Sequence, residues 1–128
     1  MKRVIIAVLV AVAVTATVAA PASAKTWKKV ATLAGDTTKE GNYFKLRGGT
    51  QKLTWTIAPA SDDVEGFETA AVYVMKKGTN LDDDGGIPAA WPDGSGNGST
   101  KLHLKKGSFY LHVTSANCTW MVTLYEWR

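Results

Sequence analysis

The chain has 128 residues, a single cysteine and a formal charge of +4. That length fits one ordinary domain, and a lone Cys118 excludes the intrachain disulfides on which many small exported domains lean. Without Lys2 and Arg3, 13 basic residues face 11 acidic ones; a surplus near +2 gives no ground for a nucleic-acid partner.

Met1, Lys2 and Arg3 make a charged start, residues 4–20 are almost wholly apolar, and Pro21, Ala22, Ser23 and Ala24 close the stretch. This three-part pattern predicts a secretory signal peptide over residues 1–24, cut after Ala24. The apolar run also approaches the length of a membrane span. Its small residues and Ala-Ser-Ala site favour cleavage, and with no Cys beside that site no lipid anchor follows. Residues 25–128 are therefore expected to be one exported domain of a bacterial protein, extracellular or cell-wall associated and free of the membrane once cut.

Residues 27–34 read as a first strand of undecided register, and residues 35–41 as a polar turn. Across 43–47, Phe44 and Leu46 alternate with Tyr43, Lys45 and Arg47. Across 51–57, Leu53, Trp55 and Ile57 alternate with Lys52, Thr54 and Thr56. Period-two alternation puts each set on one face of a strand, so the two runs, joined at Gly48 and Gly49, read as a hairpin. Residues 58–66 form an acidic loop. Residues 67–75 are nearly apolar and rich in β-branched and aromatic side chains, which favours a central strand covered on both faces over a helix.

Residues 79–99 are irregular, rich in Gly, Asp and Pro, with Trp91 alone in the middle; loops of this length are functional or mobile more often than not. Residues 100–105 read as a strand with Leu102 and Leu104 inward. Residues 107–128 read as a closing hairpin, with Phe109, Leu111 and Val113 on one core face and Trp120, Val122 and Leu124 on the other. Asn117 is best placed for a positive φ in the turn between them, and Cys118 beside it reads as a partly buried thiol. About seven short strands and no helix predict an all-β fold, an antiparallel β-sandwich of jelly-roll or Ig-like type.

The run Lys105-Lys106-Gly107-Ser108-Phe109-Tyr110-Leu111-His112-Val113, followed by Trp120-Met121-Val122-Thr123-Leu124, resembles the closing strands of small uncharacterised bacterial secreted β-sandwiches. It is similar in style to pre-peptidase C-terminal domains, with their Gly-x-Tyr-Tyr-Leu-x-Val and Trp-x-Val-x-Val patterns. Gly41-Asn42-Tyr43-Phe44-Lys45-Leu46 and Leu53-Thr54-Trp55 resemble their first half. Phe109 stands where the first Tyr of that pattern falls, and no protease domain is attached, so the resemblance implies a fold rather than a role as a protease appendage.

Three groups of residues are candidates for function. Asn80, Asp82 and Asp84, with Gly85 sixth in the run, have the spacing of half a calcium loop, although position twelve is Trp91 rather than a bidentate Glu; calcium binding is one reading and a solvated acidic loop the other. Trp91, Tyr43, Tyr110, Tyr125 and Trp127 lie off the aliphatic faces, where rings stack on sugars or peptides or else form cross-strand pairs. Tyr73 belongs in part to that set, while Trp55 and Trp120 read as core. His103 and His112 face outward but lack a third ligand for zinc. The outward lysines suit either edge protection or an anionic cell-wall polymer. No catalytic motif stands out. The sequence thus predicts a secreted, non-enzymatic binding module without a cofactor other than that calcium, for an extracellular polysaccharide or protein. A cell-envelope component pairing through a strand edge and a small secreted hydrolase are the alternatives.

Overall fold

The computed structural model describes residues 24–128, and the expected signal peptide, apart from Ala24, lies outside them. Eight strands follow one another: β1 (Trp27–Gly35), β2 (Lys39–Glu40), β3 (Phe44–Leu46), β4 (Gln51–Pro59), β5 (Thr69–Lys76), β6 (Gly96–Leu102), β7 (Gly107–Ala116) and β8 (Cys118–Trp127). The short segments between them are a 3-10 turn at Asp62–Val64 and one helical turn, α1 (Leu81–Asp84).

One sheet has the order β1-β8-β4-β6; in the other, β7 is flanked by β5 on one side and by β2 and β3 in succession on the other. Every pairing is antiparallel. The pairs nest: the first strand lies beside the last, β2 and β3 beside β7, and β4 beside β6. The innermost pair is β5 with Ala90, where Val72 exchanges backbone hydrogen bonds with Ala89 and Ala90. This is the strand order of a jelly roll, with a single bridge in place of one strand.

Nesting overturns both expected hairpins. β3 and β4 belong to different sheets, as do β7 and β8, so Gly48–Gly49 and Asn117 are arches across the sandwich. Alternation is the same in either case, because an arch and a hairpin bury the same every-other residues. Asn117 does take a positive φ, 62°. The core lies between the layers: Leu46, Val72, Phe109, Leu111 and Val113 from the second sheet meet Leu33, Leu53, Ile57, Trp120, Val122 and Leu124 from the first. Each fully buried aliphatic of this kind contributes about 1.5–3 kcal/mol. Trp120 is core as expected, its indole N–H donating to the Thr37 carbonyl and Ser115 Oγ.

Three other expectations change. β5 pairs with β7 along its length but on its other side only with the single Ala90 bridge, so it lies next to the sheet edge, and its outer face is covered because the segment after it folds back over Tyr73 and Met75. β6 starts at Gly96, earlier than its apolar residues suggest, because Gly98 gives room for the half-buried Trp55 ring: a Cβ at Gly98 would lie 2.4 Å from it. Cys118 is sealed completely, with Sγ donating to the Thr69 carbonyl at 3.4 Å, and burial pushes its thiol up.

A carboxylate sits on the core side of β8. Glu126 is fully buried. Its Oε1 accepts from the Arg47 N–H and Arg128 Nε, both at 2.9 Å, and its Oε2 from the Gly48 N–H at 3.1 Å and Gln51 Nε2 at 2.9 Å. Gln51, itself buried, also bonds both backbone groups of Leu104. The β3–β4 arch and the β6–β7 connection are thereby fastened to one acid.

Candidate functional site

The outer face of the first sheet is read most directly through its register. Trp27 pairs with Trp127 at one end. The next row runs Lys29, Tyr125, Lys52, Lys101 across all four strands, and the row after it Thr32, Thr123, Thr54, Ser99. Alternation along β1 and β8 puts these side chains on one face, with a bulge at Val30 absorbing one residue of β1. The Trp27 and Trp127 rings meet edge to face, centroids 5.2 Å apart at 63°. Lys52 Nζ lies 4.7 Å from the Trp27 centroid and 5.2 Å from that of Tyr125. A cation held between two ring faces gains from both quadrupoles, and it fixes the rings relative to each other. Trp127 is 43% exposed, and the two indoles, Thr50 and Lys101 line an open recess of about 360 Å³.

The expected aromatic set does not converge. Tyr125 and Trp127 belong to this face, whereas Trp91, Tyr43 and Tyr110 lie over the second sheet. Trp91 is 76% exposed on the rim of a shallow groove of about 650 Å³ floored by Thr69, Ala71 and Thr114. Tyr43 is 60% exposed, with Lys77 Nζ 4.9 Å above its ring, and it meets Tyr110 edge to face at 5.8 Å. Tyr110 points off the aliphatic face as its alternation requires, but it is only 5% exposed and so offers no ring face to a ligand. The segment after β5 covers it, and its hydroxyl donates to the Thr79 carbonyl. Burial pushes its phenol up, and the charges of Glu40 and Asp84 add to that. Tyr73 is half-buried, edge-on to His112.

Asn80, Asp82 and Asp84 fall together in the turn that opens α1. Asn80 caps it: its Oδ1 accepts the Asp83 N–H at 2.8 Å, and its Nδ2 donates to Asp83. Asp84 Oδ2 accepts the Asn80 N–H at 2.8 Å. Two of the three expected oxygen donors are thus turned onto their own backbone, the ordinary use of Asn and Asp at a helix start. Among the described residues, no three His, Cys, Asp or Glu side chains converge as a metal site.

His112 Nδ1 lies 2.9 Å from Glu40, while His103 stands in the β6–β7 connection, so the two imidazoles are not neighbours. Cys118 faces the core and His112 the outside, which leaves no thiol–imidazole pair. Sequence reasoning missed Trp27 and the position of Lys52. The bulge at Val30 hid the face of β1, and a β4–β3 hairpin would have set Lys52 beside other neighbours.

No family model matches the sequence, and no curated protein matches it. Among solved structures, the chain is similar to Aeromonas hydrophila PliG, a periplasmic lysozyme inhibitor of g-type lysozyme. Identity is 14%, over 86% of this chain and 91% of that one, with a TM-score of 0.40. A likeness of that degree carries no argument about site or partner.

Proposed function

We propose that this protein is an exported, non-catalytic binding module that holds an extracellular polysaccharide on the outer face of its first sheet. The observation that carries this reading is the cluster of Trp27, Tyr125 and Trp127 around Lys52, open to solvent beside a row of hydroxyls. Flat ring faces suit the apolar faces of sugar rings, and hydroxyls alongside suit their rims. Pairing through a strand edge is less well served: β1 bulges at Val30, and β6 opens with Gly96-Asn97-Gly98 and carries Lys101, features that blunt an edge.

The reading is tested by tryptophan fluorescence titration and affinity electrophoresis against a panel of polysaccharides. Trp127→Ala and Tyr125→Ala should each weaken binding by roughly ten-fold or more, as loss of a stacking residue does, with melting temperatures within about 4 °C of the parent. Trp91→Ala, on the other sheet, should leave binding intact. Binding that depends on Trp91 and ignores Trp127 and Tyr125 would move the site to the other face.

A further inference from the structure

The small net charge conceals a segregation. Every Lys and Arg from Lys25 onward, except Lys39, sits at one end of the sandwich. This is the end where β1, β4 and β7 begin, β5, β6 and β8 finish, and the arch at Gly48 packs against Lys105 and Lys106. On the first-sheet side of that end the one acid is Glu126, buried with both oxygens already engaged. Asp36, Asp62, Asp63, Glu65 and Asp93 occupy the opposite end, and Glu40 and Asp82–Asp84 flank the second sheet. Among the described residues the carboxylate contacts with basic side chains are Glu40 with His112 and Glu126 with Arg128, so the lysines of this end have no carboxylate partner.

Within that end, Lys52 and Lys101 stand directly opposite each other on neighbouring strands, with Lys29 two strands further along the same row. Like charges directly opposite in a sheet repel and destabilise it. The row is about 14 Å long, three strand spacings, and unscreened by any acid on its face. An anion laid along it removes the repulsion, and the rings beside it supply stacking.

We infer that the ligand of this face is a polyanionic polysaccharide: a sugar polymer with carboxylate or sulfate groups at intervals, its charges on Lys29, Lys52 and Lys101 and a sugar face on the Trp127 ring. This rests on the binding-module reading above and names its ligand class. The hydroxyl row Thr32, Thr123, Thr54, Ser99 beside the lysines favours a sugar polymer. The indoles meet at 63°, so they offer no succession of parallel platforms for stacked bases.

The experiment measures binding of the purified protein to dextran sulfate, polygalacturonate, neutral dextran, poly(dT) and anionic phospholipid vesicles over a salt series. Expected is binding of at least one of the two acidic polysaccharides, weakening steeply with salt, and none of neutral dextran at the same concentration. The two acidic probes separate sulfate from carboxylate as the charge recognised. The double substitution Lys52→Gln/Lys101→Gln should weaken binding roughly ten-fold and flatten the salt dependence, while Tm stays within about 4 °C of the parent, because relief of the repulsion offsets the lost contact of Lys52 with the Trp27 and Tyr125 rings. Neutral polymer bound as well as acidic, through Trp127 and without salt dependence, overturns the polyanion and leaves the aromatic binding module standing. Acidic polymer bound equally by the Lys variant and the parent overturns the inference too. Tighter binding of poly(dT) or vesicles assigns the basic end to another class of partner, and no binding to any probe overturns both readings.

Discussion

Glu126→Gln is the substitution whose effect follows most directly from the structure. The change is nearly isosteric, but it replaces one acceptor oxygen with an amide NH2. Whichever way the amide turns, it faces two donors: Arg47 N–H and Arg128 Nε on one side, or Gly48 N–H and Gln51 Nε2 on the other. Two hydrogen bonds to a charged acceptor, each worth about 1.5–3 kcal/mol, are lost. Arg128 recovers part of its share through water, because its side chain is 22% exposed. The net cost should be about 3–4 kcal/mol, in line with breaking a buried pair. With an unfolding entropy of about 2.1 cal/mol/K per residue over the described residues, that lowers Tm by roughly 15 °C.

The pH dependence has a definite sign. Burial pushes the Glu126 carboxyl up, but the donors from Arg47, Gln51, Arg128 and Gly48 outweigh it and hold the group below its ordinary 4.5. A carboxyl whose folded pKa is depressed stabilises the fold fully above its unfolded pKa and loses that contribution as pH falls through the folded value. Parental stability should therefore drain below about pH 4.5, and Glu126→Gln should show a shallower acid slope. Some slope persists in the variant because Glu68 is shifted the same way: its own N–H and those of Gly66 and Ser95 lower it against burial. Denaturant unfolding followed by tryptophan fluorescence at pH 7 and at pH 3.5 measures both effects. A variant as stable as the parent at pH 7, with an unchanged acid slope, would refute the account of the clasp.

Gly98→Ala sets a Cβ 2.4 Å from the Trp55 ring, which must swing aside, so a loss of about 1–3 kcal/mol and an altered Trp55 emission are expected; unchanged melting and emission would contradict the close approach. Cys118 should react with a thiol reagent only on global unfolding, since it is fully buried and burial raises its pKa, and fast labelling of the native protein would count against that. Because Asn80 and Asp84 already cap α1, millimolar calcium should move Tm by less than about 1 °C relative to chelator, whereas a larger rise would establish the calcium loop.

Burial was legible in the sequence; pairing was not. Alternation named Leu53, Ile57, Phe109, Leu111, Val113, Trp120, Val122 and Leu124 as core, and they are buried. Glu126 and Gln51 were missed, although they fall in phase with Leu124 and Leu53 and are buried with them, and a polar residue in that phase is the signal that could have found the hydrogen-bonded cluster. Which strand neighbours which depends on contacts distant in the chain, so Gly48–Gly49 and Asn117 looked like hairpin turns when they are arches. The same long-range register brings Trp27 to Trp127 and Lys52 to Lys101, pairs that no local window contains. Alternation puts Tyr110 off the aliphatic face, as it is, but the segment that covers its ring arrives by a tertiary event that no local window shows.

Nested pairing also governs how the chain assembles. As the polypeptide emerges N-terminus first, β1 has no partner until β8 follows it, and β2 and β3 wait for β7. Hardly any stable intermediate can be built from one stretch, because sequence-adjacent strands, β2 and β3 apart, fall in opposite layers. Such a topology folds late and slowly: β4 can meet β6 early, but β1, β2 and β3 hold their greasy faces unpaired until β7 and β8 arrive at the very end of synthesis.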